Sequence, residues 1–111
     1  MSLEPNTQQI QLLNDTFRTT FTGGTVVLTA GIQALPDDTR SGILQAVRTF
    51  NNFTPDNDPH LEHDFGSFLY EGVKVFWKMD YYDATLTYGS ENPADSTQTR
   101  RVLTIMLASE Y

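Results

Sequence analysis

Apolar residues recur along this chain at two periods, and the change from one to the other falls near residue 53. In the first half Ile10, Leu13, Phe17 and Phe21 lie at i, i+3, i+7 and i+11, one face of a 3.6-residue helix. Asn6 or Thr7 can cap its start just after Pro5, which leaves residues 1–7 as a flexible lead. Thr22-Gly23-Gly24 supplies its stop, because glycine adopts the left-handed conformation that closes helices. "TVVLTAG", residues 25–31, is short and β-branched and predicts a buried strand. "LPDDTRSGILQAVRTFNNF" predicts a second helix. Pro36 suits its first position, Asp37 and Asp38 complement the positive helix end, and Ile43, Leu44, Val47 and Phe50 form its apolar stripe. Gly42 interrupts that stripe at about 1 kcal/mol relative to alanine.

In the second half the period is two. "SFLYEGVKVFWKMDYY" predicts a hairpin about Glu71-Gly72. In its longer arm Val73, Val75, Trp77, Met79 and Tyr81 point to the core, alternating with Lys74, Phe76, Lys78, Asp80 and Tyr82. "TLTYGS" predicts a further strand, and residues 90–98 a loop. In "TRRVLTIMLASEY" the near-continuous run Val102, Leu103, Ile105 and Leu107 predicts a central strand. The expected fold is α+β, in the order α-β-α-β-β-β-β. Two helices cover one face of a mostly antiparallel sheet of about five strands. Residues 8–111 form one domain, and the other sheet face, with Phe76, Tyr82 and the lysines, is left to solvent or a partner.

Composition narrows the function. The chain has 111 residues, 39% hydrophobic and 12% aromatic, enough for one core. It holds no apolar run near the ~20 residues that a membrane helix needs. The start "MSLEPNTQQI" lacks the basic-then-apolar order of a signal peptide. Without cysteine there is no disulfide, thiolate metal site or thiol nucleophile. A cytoplasmic location fits, with no membrane partner. Net charge is −7, and residues 51–99 carry all of it: nine acids against Lys74 and Lys78. Such a surface repels phosphate backbones, which argues against direct nucleic-acid binding, and attracts basic partners.

Both histidines fall in "FTPDNDPHLEHDFG", residues 53–66, with Asp56, Asp58, Glu62 and Asp64. A calcium loop needs glycine at its sixth position and glutamate at its twelfth; counted from Asp56 these are Leu61 and Ser67. Zinc proteases space their histidines four apart on a helix; His60 and His63 are three apart between prolines and sheet. His60-Leu61-Glu62 shares letters with zinc deaminases, whose second half needs two cysteines. His60, His63 and Asp64 remain as a non-standard two-histidine, one-carboxylate metal set. The plainer alternative is that these side chains cap a turn built on Asp56-Asn57-Asp58. In "WKMDYYD", residues 77–83, Lys78, Asp80 and Tyr82 share a strand face and could bind or polarise a polar ligand. With Trp77 they complete the candidate site. A salt pair and cross-strand packing explain them equally well. No phosphate loop, kinase set or nucleophile elbow is present, and no cofactor is expected.

"FTGG", "DNDPHLEHDFG", "WKMDYYD" and "RVLTIMLASEY", in that order, resemble a bacterial family catalogued as domain of unknown function 3768. The resemblance spans about residues 8–111. It implies a short single-domain protein, frequent on plasmids and mobile elements. It carries no activity, cofactor or catalytic residue. It does imply that Asp56, Asn57, Asp58, Pro59, Glu62, His63, Asp64, Phe65 and Gly66 follow the family pattern, as do Trp77, Lys78, Asp80, Tyr81, Tyr82 and Asp83.

Three functions follow as expectations. The first is a non-enzymatic accessory or interaction domain that uses its acidic surface on a basic protein partner. The second is a small metal-binding or hydrolytic enzyme with His60 and His63 as ligands, or His63 as a base supported by Asp64. The third is a DNA-mimic inhibitor of a DNA-binding protein. A homodimer through an open strand edge or the Phe76/Tyr82 face is compatible with each.

Overall fold

A computed structural model describes residues 4–111. The first helix, α1 (Pro5–Thr20), starts earlier than its expected cap: Glu4 is the N-cap and Pro5 the first helical residue. Residues 5–7 are therefore helical, while residues 1–3 of the expected lead lie outside the described residues. Its stop is Phe21, left-handed at φ 57°, whose N–H bonds the Phe17 carbonyl. The expected stripe is half right. Ile10 and Phe17 are buried, but the other buried positions are Asn14 and Arg18, not Leu13.

Strand β1 (Gly24–Leu28) follows and is partly exposed, contrary to the buried strand expected. It lies at the sheet edge, where only one side is covered by a neighbour. A single helical turn, α2 (Ala30–Gln33), replaces the end of that predicted strand and buries Ile32. Helix α3 (Asp37–Arg48) has Pro36 as N-cap and buries Ile43 and Val47. Gly42 has a packing reason. An added Cβ would meet the Tyr70 hydroxyl at 1.8 Å, so the missing side chain is what lets the phenol lie on the helix.

The hairpin of β2 (Phe65–Tyr70) and β3 (Val73–Tyr82) turns at Glu71-Gly72 as expected. Both residues have positive φ, 49° and 81°, which matches the right-handed twist of the strands. "TLTYGS" is not a strand; it is a turn with one bridge, Tyr82 to Gly89. Asp83 consumes its backbone instead, accepting the Thr85 and Thr87 N–H groups. The last strand, β4 (Arg100–Leu107), ends in a short 3-10 turn at Ala108–Glu110. The sheet has four strands, not five, in the order β1-β4-β3-β2. It is mixed: β1 runs parallel to β4, and the other pairs are antiparallel.

The α+β class and the one-sided helical layer hold. Phe17, Ile32, Ile43 and Val47 from the helices pack on Val75, Trp77, Met79, Leu103 and Ile105 from the sheet. Each fully buried residue of this kind stabilises by about 1.5–3 kcal/mol through apolar burial. Trp77, with no exposed surface, sits edge-on to Phe50 and Phe53 at 5.6 and 6.1 Å.

Candidate functional site

The loop between α3 and β2 (residues 49–64) is held down by its own polar groups. Asn57 accepts the Thr54 N–H at 2.9 Å and donates to the Asn52 carbonyl at 2.9 Å. Asp58 is 2% exposed, and its Oδ1 accepts the His63 N–H at 3.0 Å. Leu61 and His63 both take left-handed backbone, φ 60° and 55°. The turn chemistry expected of Asp56-Asn57-Asp58 is therefore present.

His63 lies between two carboxylates. Its Nδ1 is 2.9 Å from both oxygens of Asp15 on α1, and its Nε2 is 3.7 Å from Asp58 Oδ2. The ring stacks on Phe53, 3.8 Å between centroids and 2° from parallel. Asp15 also meets Arg18 at 3.1 Å. Arg18 is 2% exposed and donates to the carbonyls of Val47 and Phe50, each at 2.9 Å. One buried guanidinium thus caps the end of α3, fixes Asp15, and through Asp15 orients His63. Asp15, Arg18, Arg48, Phe53 and His63 line an open groove of about 530 Å³. His63 is the loop residue that reaches it.

A second network sits beside the first. Tyr81 donates to Glu62 Oε1 at 2.8 Å, and Asn14 Nδ2 bonds the Tyr81 oxygen at 2.7 Å and the Glu62 carbonyl at 3.0 Å. Arg101, 3% exposed, donates to Asn14 Oδ1 at 2.7 Å and to the Pro93 carbonyl, with its guanidinium over the Tyr81 ring. Burial pushes the Tyr81 phenol well above its ordinary value and lowers the Arg101 guanidinium. Burial, then the charge of Glu62, raises the Asp64 carboxyl, whose backbone carbonyl accepts the Met79 N–H.

The two candidate stretches do meet, but not through the expected side chains. The core-face residue Tyr81 touches the loop, while Lys78, Asp80 and Tyr82 point to the opposite face of the sheet. Lys78 and Asp80 form an ion pair at 3.1 Å. Trp77 belongs to the core. Asp56 and His60 are exposed on the loop surface. The carboxylates that meet His63 are Asp15 and Asp58, not Asp64. Among the described residues no three histidine, aspartate or glutamate side chains gather in a geometry that could hold a metal ion.

The profile of a protein family of unknown function, DUF3768, matches residues 28–110. The chain belongs to this family. No curated protein and no solved structure matches it. The DUF3768 segment contains the loop and strands β2 to β4, so Asp58, Glu62, His63, Tyr81 and Arg101 fall inside it. Asn14, Asp15 and Arg18, the α1 residues that complete both networks, precede it. Sequence reasoning missed these three. The available signal was their spacing: Asn14 and Arg18 lie four and eight residues after Ile10, on its helix face.

Proposed function

We propose that this DUF3768 protein is a non-enzymatic interaction domain that presents an acidic end to a basic protein partner, in a bacterial cytoplasmic setting and on mobile genetic elements. One observation carries the reading. Residues 49–64 enter β2 and residues 83–99 leave β3 at the same end of the sheet, and these two segments carry Asp56, Asp83, Glu91 and Asp95. Asp83 and Asp95 are held below the ordinary carboxylate range by Thr85 and Thr97, whose hydroxyls and N–H groups bond them. They stay ionised to lower pH than a free aspartate does. Such a fixed charge field steers basic surfaces and is screened by salt.

The polar networks support the same reading. Both ring nitrogens of His63 face carboxylates and one ring face is covered by Phe53, so the imidazole is committed to holding the loop. The test is binding of a lysine-rich peptide by calorimetry. The wild type binds at low ionic strength, and Asp56→Lys/Asp83→Lys/Glu91→Lys/Asp95→Lys abolishes binding. Unchanged affinity in that variant would refute the acidic-end reading.

The groove beside His63 favours a second reading, a small-molecule site in which the Asp15–His63 pair handles a proton. His63→Gln should then abolish turnover or ligand binding in protein shown by circular dichroism to be folded; ligand binding retained in that variant would dismiss it.

A further inference from the structure

The face of the sheet away from the helices has the opposite charge character to the rest of the molecule. It presents Lys74, Phe76, Lys78, Asp80 and Tyr82 from β3 and Arg100, Val102 and Thr104 from β4, while Met106 on the same side is buried. Beside them stand Phe65, Ser67 and Leu69 from β2. Three cations face one carboxylate there, and that carboxylate, Asp80, is paired to Lys78. Glu110 borders the face at a cavity of about 320 Å³ shared with Lys78, Thr104, Met106 and Tyr111. Its carboxylate accepts the Gly31 N–H, the Leu107 N–H and the hydroxyl of Thr29, which lines the same cavity.

The aromatic content is high. Phe65, Phe76 and Tyr111 form an edge-to-face trio with centroids 5.3–6.0 Å apart, and Tyr111 is 74% exposed. Tyr82 lies at the other end of β3, opposite Arg100. Phe76 and Tyr82 are six residues apart on one strand, about 20 Å at ~3.3 Å per residue.

A second copy of the chain fits this face poorly. Face-to-face pairing would bring Lys74, Lys78 and Arg100 against an equally positive face of the other copy. From strand spacing and rise the face covers on the order of 400 Å² per copy, so a dimer would bury about 800 Å², below the ~1,200 Å² of a stable interface. The chemistry that does fit is anionic, extended and rich in flat rings.

We propose that this open sheet face binds single-stranded RNA, with Lys74, Lys78 and Arg100 on phosphates, Tyr82 and the Phe65/Phe76/Tyr111 cluster as stacking platforms, and the Ser67 and Thr104 hydroxyls at ribose 2′-OH groups. Bases splayed on a sheet stack on aromatic side chains in this way. The net charge of −7 opposes a duplex, which presents a long phosphate array to the whole molecule, far more than it opposes a short strand on a locally positive face.

The test is fluorescence anisotropy with a labelled single-stranded RNA of about eight nucleotides, within the range one sheet platform covers. Three phosphate contacts at about 0.7 each predict a log–log salt slope of about −2. Lys74→Gln/Lys78→Gln/Arg100→Gln should abolish binding, and Tyr82→Ala should weaken it about tenfold, the loss of one stacked base. Thermal melting checks that each variant folds. The acidic-end variant of the preceding section should bind RNA at least as well as wild type, which separates the two proposals. No binding at low salt, or binding unchanged in the triple variant, overturns the proposal. So does equal affinity for the matched DNA strand, or preference for an acidic peptide.

Discussion

At the scale of single residues, three buried polar side chains, Asn14, Arg18 and Asp58, organise the loop. Arg18 is the extreme case: its guanidinium meets Asp15, Val47 and Phe50 with 2% of the residue exposed. Removing it takes a donor from the Val47 and Phe50 carbonyls, while Asp15, a third exposed, keeps His63, so Arg18→Ala should cost about 1–3 kcal/mol in urea denaturation. A loss under about 1 kcal/mol, the ordinary surface value, would mean Arg18 is not buried as described. Asp64 gives the opposite sign. Its carboxyl is raised by burial and by Glu62, so it favours the neutral form in the fold. A raised folded value contributes stability fully below the unfolded value, near 3.8, and loses it as pH rises through the folded one. Asp64→Asn should therefore raise the melting temperature at pH 7, and the gain should vanish at pH 3. A gain that persists at pH 3 would contradict the burial argument.

At the scale of elements, the parts with a single dominant cause were legible in the sequence. The β2–β3 hairpin follows from strict alternation about Glu71-Gly72, and β4 from its apolar run. Helix α3 follows from Pro36, its acidic first turn and its apolar stripe. Where a polar side chain overrode the pattern, the reading failed. The predicted strand "TLTYGS" lost its ladder to the Asp83 side chain, and α1 buries Asn14 and Arg18 where Leu13 was expected. The site suffered for the same reason. The loop was identifiable by composition, but its partners Asn14 and Asp15 lie 48 residues from the groups they bond and Arg18 lies 32 from Phe50, and one sequence records no such contact. Gly42 was read as a helix defect and is a packing site. Gly42→Ala should destabilise by about 1–3 kcal/mol through overpacking against Tyr70. A double-mutant cycle with Tyr70→Ala should show coupling; additive effects would place the phenol elsewhere.

At the scale of the whole molecule, charge is sorted by face. The loops at one end of the sheet carry Asp56, Asp83, Glu91 and Asp95, while the open sheet face keeps Lys74, Lys78 and Arg100 beside its aromatic rings. Net charge alone hides this, which is why composition argued against nucleic acid while the face allows a short strand. Two surfaces of opposite sign predict two different ligands without competition. The direct test is a pair of heteronuclear NMR titrations on the same labelled sample, one with a lysine-rich peptide and one with the single-stranded RNA. The peptide should shift residues 56–64 and 83–99, and the RNA should shift Ser67, Lys74, Phe76, Lys78, Tyr82, Arg100 and Thr104. If both probes shift the same residues, or the RNA shifts only the acidic end, the sorting of charge by face does not govern what this protein binds.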